Sequence, residues 1–167
     1  MTVNKIRALA ILAGLSFALI ASPAGSQSQP AGPLEYMTLK PQVIRAQVVL
    51  GAQFADQAIA VLQNSNEIEE LKRAKALVNK SYVLLRYATA GIETINQVNA
   101  ESKAVPNAGL KIALDWIWAA RWRNISAGMA IDNSVGWETT REEYVSKALE
   151  ELGPVPELAR RASVLIH

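Results

Sequence analysis

From residue 40 onward, apolar residues recur at spacings of three and four, the period of a helix. No stretch alternates convincingly at two, and no segment repeats another. The first predicted helix begins near Pro41, since proline suits a first helical turn. Val43, Ile44, Val48, Phe54, Ala55, Ala58, Ile59, Val61 and Leu62 fall within about half its circumference, with Arg45, Gln53, Asp56 and Gln57 opposite. Gly51, Ala55 and Ala58 on the apolar face allow a close helix approach, and Asn64-Ser65-Asn66 ends the element.

The second helix has a start signal in Asn66-Glu67-Ile68-Glu69, which has the form of a capping box. Ile68, Leu71, Val78, Tyr82, Leu85, Ile92 and Ile95 follow at helical spacing, predicting a helix to about Val98, ~45 Å long at 1.5 Å per residue. Leu77 and Leu84 add a second apolar line, so contacts on two sides are expected. Ala100 to Val105 reads as a turn.

Leu110 to Ile131 is the stretch around which the rest is expected to pack. Pro106 opens this helix, and it fades at Asp132-Asn133-Ser134. Placed at 100° per residue, Ile112, Ala113, Trp116, Ala119, Ala120, Ala127, Ala130 and Ile131 cover one broad face. Leu110, Leu114, Ile117 and Ile125 cover most of the opposite side. A helix that is apolar nearly all round is expected to be buried. The remaining stripe carries Lys111, Asp115, Trp118, Trp122 and Ser126 at spacings where neighbours touch. It predicts an indole pair, Trp118 and Trp122, beside a Lys111/Asp115 ion pair, flanked by Arg121 and Arg123. Two expectations follow. The indoles fill the core or a seam between helices, or they form an exposed aromatic and arginine platform for a partner, since Trp and Arg dominate binding hot spots.

Val135-Gly136-Trp137 reads as a loop whose Trp plugs one end of the molecule. Thr139-Thr140-Arg141-Glu142-Glu143 offers a second capping box, followed by a core face of Tyr144, Val145, Ala148, Leu149 and Leu152. Gly153-Pro154 is a stop signal. A short last helix near Glu157 to Ile166 presents Leu158, Ala162, Leu165 and Ile166. The expected fold is all-α, an antiparallel helical bundle of three long and two short helices.

The N-terminus reads differently. Lys5 and Arg7 precede an uncharged run from Ala8 to Ile20, and Ala21 to Ser26 supplies small residues. This is the pattern of a secretory signal peptide over residues 1–24, cleaved after Ala24 or Ser26, with an uncleaved anchor as the alternative. Its apolar run is shorter than the ~20 residues that span a bilayer. Residues 25–40 form a Pro/Gly/Ser/Gln leader, in which Leu34, Tyr36, Met37 and Leu39 are a candidate apolar strap. The single bundle domain then covers 41–167. Localisation in a bacterial periplasm or the medium is expected, with no transmembrane segment after cleavage.

Composition narrows the chemistry. Of 167 residues half are apolar, enough for a core without staples, and there is no cysteine. Disulfides, thiolate metal sites and cysteine nucleophiles are therefore excluded. Removing Lys5 and Arg7 from the 17 basic residues leaves 15 against 15 acidic, a balance that does not suggest nucleic acid as a partner. The only histidine is the last residue, His167, which excludes a Ser-His-Asp triad and a multi-histidine metal site. No glycine-rich phosphate loop, G-x-S-x-G or haem-attachment motif occurs. Lys72-Arg73-Lys75 and Arg160-Arg161 have acidic neighbours and read as solvated helix faces. Two N-x-[ST] sequons, at Asn79 and Asn124, fall inside predicted helices and read as chance. Asp115 is the one carboxylate set among tryptophans; its expected ion pair argues against work as a general acid.

The function expected from these features is contact with a protein partner, by an exported, non-enzymatic bundle serving as adaptor, assembly accessory or inhibitor-like binder. Trp118, Trp122, Arg121 and Asp115 are its candidate binding residues, with self-association as a further expectation. The alternative is a carrier of a small apolar or aromatic ligand, suggested by the tryptophans, Tyr82, Tyr87 and the alanine-rich faces. No catalytic residue, metal or cofactor is expected.

Overall fold

The computed structural model describes residues 40–105 and 107–167. The signal peptide and leader expected before residue 40 lie outside the described residues. Among those described, the fold is all-helical. Its elements are α1 (Pro41–Asn64), α2 (Ile68–Glu101), α3 (Ala108–Gly136), a 3-10 turn (Glu138–Thr140), α4 (Arg141–Leu152) and α5 (Val155–Val164).

Neighbouring helices run antiparallel. Ideal positions beside Gly51 fall against Leu85 and Ser81 of α2, and Lys80 of α2 lies over Phe54 of α1. Across the next seam Lys75 reaches Gly128, Ser81 meets Asn124, and Arg121 lies over Tyr82. Arg141 of α4 bonds back to Ser134 near the end of α3, and Arg123 pairs with Glu151 one arm away. α5 closes the bundle by packing against both α1 and α3.

The two short helices work as one arm. The arm starts at the end of α3 and finishes beside its beginning, where Leu165 approaches Gly109. Gly153 and Pro154 both keep right-handed helical dihedrals, so the chain direction is not reversed. The interruption has a simple cause. Pro154 and Pro156 carry no N–H, so two links of the hydrogen-bond ladder, on either side of Val155, are missing. The stop signal read from Gly153-Pro154 is a break within an arm, and the architecture is a bundle of four arms.

Each arm presents one buried line whose spacing alternates between three and four. In α1 it is Ile44, Val48, Gly51, Ala55, Ala58 and Leu62. In α2 it is Leu71, Ala74, Val78, Ser81, Leu85, Ala88 and Ile92. In α3 it is Leu110, Ala113, Ile117, Ala120, Asn124, Ala127, Ile131 and Ser134. The fourth arm keeps the same count through its break: Val145, Ala148, Leu152, Val155, Ala159, Ala162 and Ile166. A repeat of seven residues is the seam of helices that cross at shallow angles. Along α2 and α3 large and small residues alternate on this line, so a large side chain on one helix can sit over a small one on the next.

These lines correct the reading of the tryptophan-rich helix. Its inward face draws Ala113 and Ala120 from one expected side and Leu110 and Ile117 from the other. Ile112 and Ala119, expected in the core, are exposed. The helix also runs on to Gly136, which turns the expected loop into helix, and Trp137 is 63% exposed instead of plugging an end.

The helix starts also differ from expectation. Glu67 is the N-cap of α2 without a side-chain cap bond, and its N–H donates to Ser65 Oγ at 3.1 Å, so the capping box at Asn66 does not form. Thr140 caps α4 without a side-chain bond because the 3-10 turn leads the chain in. Asn107 does cap α3, its side chain accepting from Leu110 N–H at 3.2 Å.

No helix among the described residues is long and apolar enough to cross a membrane.

Candidate functional site

The site begins with which residues α3 spends inward. With its seven-residue line facing the core, the opposite side must carry Lys111, Asp115, Trp118, Trp122, Met129 and Asn133. All six are exposed. Trp118 is 39% exposed, Trp122 62% and Met129 62%. The stripe from Trp118 to Met129 spans ~17 Å along the helix at 1.5 Å per residue. Trp116, by contrast, is partly buried and packs against the core. The other two indoles of the chain serve different ends: Trp116 supports the bundle, while Trp137 stands free at the end of α3.

Arg121 sits on the flank of this stripe that faces α2. Its guanidinium lies 4.2 Å from the centre of the Trp118 ring and 5.5 Å from that of Tyr82. Two aromatic faces hold a cation this way by their quadrupoles. Its Nε is buried and has no hydrogen-bond partner, and no acidic side chain pairs with it among the described residues. Arg123, on the other flank, is bound to Glu151 at 3.3 Å. The two arginines either side of Trp122 are thus unlike: one closes a contact to α4, the other is stacked and uncommitted.

Asp115 and Lys111 are both exposed, and the expected ion pair between them is absent. A basic residue four positions before an acidic one is the weaker orientation on a helix, and exposed pairs contribute little. Of the four residues expected to bind, the structure brings Trp118, Arg121 and Trp122 onto one surface, with Asp115 one turn from Trp118 at its edge. Two contributors were not among them. Met129 lengthens the stripe, and Tyr82 supplies the second ring for Arg121. By spacing Tyr82 belongs to the apolar line of α2, but its half-buried ring borders the seam; no signal within α3 points to it.

The remaining basic clusters are accounted for by neighbours. Lys72 pairs with Glu69 at 2.8 Å, Arg73 with Glu70 at 3.4 Å, and Arg161 with Glu157 at 2.7 Å. Lys75 reaches Asp132, and Arg160 reaches Asp56. Asn124 is 1% exposed, so this sequon is closed in the folded chain. A surface concavity of about 370 Å³ lies between α2 and α3, lined in part by Lys72, Lys75, Asn79 and Asp132. Among the described residues no group of three His, Asp or Glu side chains is placed to hold a metal ion.

No family model, curated protein or solved structure matches this chain.

Proposed function

We propose that the protein is an exported helical bundle that acts by contact with another protein, without catalysis, through the Trp118/Trp122 face of α3. The observation that carries this reading is the exposure of both indoles together with Met129 on one stripe, while the core is complete without them. Large exposed apolar side chains in a row mark an interaction surface more often than scattered ones do. Tryptophan is enriched among the few interface residues whose truncation costs about 2 kcal/mol or more, roughly 30-fold in affinity.

The double substitution Trp118→Ala with Trp122→Ala tests it. Far-ultraviolet circular dichroism is expected to stay that of the parent, because neither ring belongs to the buried lines. A partner recovered with the parent from an extract of the exporting compartment is expected to be lost with the variant, by quantitative mass spectrometry. Loss of helicity in the variant, or an unchanged set of recovered proteins, would sink the reading.

A further inference from the structure

On its α2 side, the charge beside the Trp face is of one sign. From Leu71 to Ile92, α2 carries Lys72, Arg73, Lys75, Lys80 and Arg86 and no acidic residue. From Trp116 to Ile131, α3 carries Arg121 and Arg123 and no acidic residue. These two stretches lie side by side, since Lys75, Ser81 and Tyr82 meet Gly128, Asn124 and Arg121 in turn. A chain whose expected mature form is neutral therefore has a cationic middle.

Within that middle, most cations have acidic partners, and Lys80 lies over the Phe54 ring of α1. Lys72, Arg73, Lys75 and Arg123 are paired as described. Arg121 and Arg86 are not. Arg86 stands one turn beyond Tyr82 on the row of α2 that borders α3, exposed and without an ion pair among the described residues. Arg121 is held in place by two rings, so little side-chain freedom remains to be lost when an anion binds. A guanidinium of this kind takes a carboxylate through two parallel N–H donors. Asp115 and Asp132, at the two ends of the stripe, are the acidic side chains of α3, and neither is paired with Arg121 among the described residues.

We infer that the partner surface is an acidic and apolar polypeptide segment. An Asp or Glu carboxylate of that segment seats on Arg121, with Arg86 beside it, and its apolar side chains cover Trp118, Trp122 and Met129. This rests on the Trp face being the interaction surface and adds the chemistry of what binds there. The complementarity of charge selects this occupant over a basic segment, which the same seam repels.

The test is selection of displayed random peptides, roughly twelve residues long to match the Trp118 to Met129 stripe as a helix, on the purified protein. Peptides recovered from the parent are expected to be enriched in Asp and Glu beside Leu, Phe or Met, and depleted in Lys and Arg. Arg121→Glu, and separately the exposed Arg86→Glu, are expected to weaken those peptides about tenfold and to shift a fresh selection toward basic residues. Circular dichroism on both variants checks the fold, and Arg86→Glu carries the test if Arg121→Glu unfolds.

Peptides that need Trp118 and Trp122 but show no acidic enrichment overturn this inference and leave the interaction face standing. Selection that is indifferent to the Trp118→Ala/Trp122→Ala variant overturns both. An acidic preference unchanged by either arginine substitution also overturns the inference, since the carboxylate is then read elsewhere.

Discussion

At the scale of single residues, Asn124 is the one large polar side chain on the buried line of α3. It is 1% exposed, its amide nitrogen donates to Ser81 Oγ at 3.1 Å, and its Oδ1 has no partner. A buried amide so placed costs stability and fixes which residues may face it, as polar residues do in helical seams. Ser81→Ala removes the only partner and is expected to lower the unfolding free energy by about 1–3 kcal/mol. Adding Asn124→Val to that variant is expected to recover most of the loss, because no unpaired polar group then remains. Urea unfolding of the single and double variants measures both; a double variant no better than Ser81→Ala would mean that the pair is not coupled. The sequence showed Asn124 only as part of a sequon. Its burial depends on the register of α3 against α2, which no single helix displays. The Trp118/Trp122 pair, by contrast, was legible from spacing alone, because four positions along a helix are neighbours whatever the helix packs against. Whether the pair faced core or solvent was not legible, for the same reason as Asn124.

At the scale of helices, the deciding quantity is the period. A straight helix at 3.6 residues per turn drifts ~20° per seven residues from a line that repeats every seven. Over the 29 residues of α3 this drift is large enough to move Ile112 and Ala119 onto the wrong face of a helical wheel. Shorter elements suffer less: of the expected core face of α4, Val145, Ala148 and Leu152 are buried, and Tyr144 and Leu149 are half-buried beside them. The bounds of α1 were also legible, since Pro41 and the Asn64-Ser65-Asn66 run mark both ends chemically. The single fourth arm was not, because Gly153-Pro154 reads as a stop when only local signals are weighed. Close approach of α1 to α2 rests on Gly51, where an added Cβ would stand 3.1 Å from Leu85 Cγ and Cδ2. Gly51→Leu is expected to cost about 1–3 kcal/mol by forcing that seam apart. Gly136→Ala, at the end of α3 with nothing within 4 Å, is the control and is expected to leave stability unchanged or slightly raised. Equal thermal melts for parent and Gly51→Leu would contradict the tight seam.

At the scale of the whole molecule, charge is sorted even though the totals, 17 basic against 15 acidic residues, are nearly equal. The cationic middle of α2 and α3 is bracketed by acidic residues toward the helix ends, at Glu67, Glu69, Glu70 and Glu93 on α2 and at Asp115 and Asp132 on α3. Association of acidic peptides with the Trp face is therefore expected to weaken as sodium chloride is raised through about 0.15 M, where the Debye length is ~8 Å. Titration calorimetry at several salt concentrations reads the slope, and a flat response would contradict an electrostatic contribution. The all-helical class was legible because it rests on many positions at once, whereas the sorting of charge becomes visible only when two helices are laid side by side. The placement of the indoles has a last, optical consequence. Trp118, Trp122 and Trp137 are all open to water and Trp116 alone is partly enclosed. The intrinsic ultraviolet emission of this protein thus originates mainly from its outer surface. Its colour will hardly register the melting of the bundle, yet it will register whatever comes to cover α3, so the molecule carries its own reporter of an encounter.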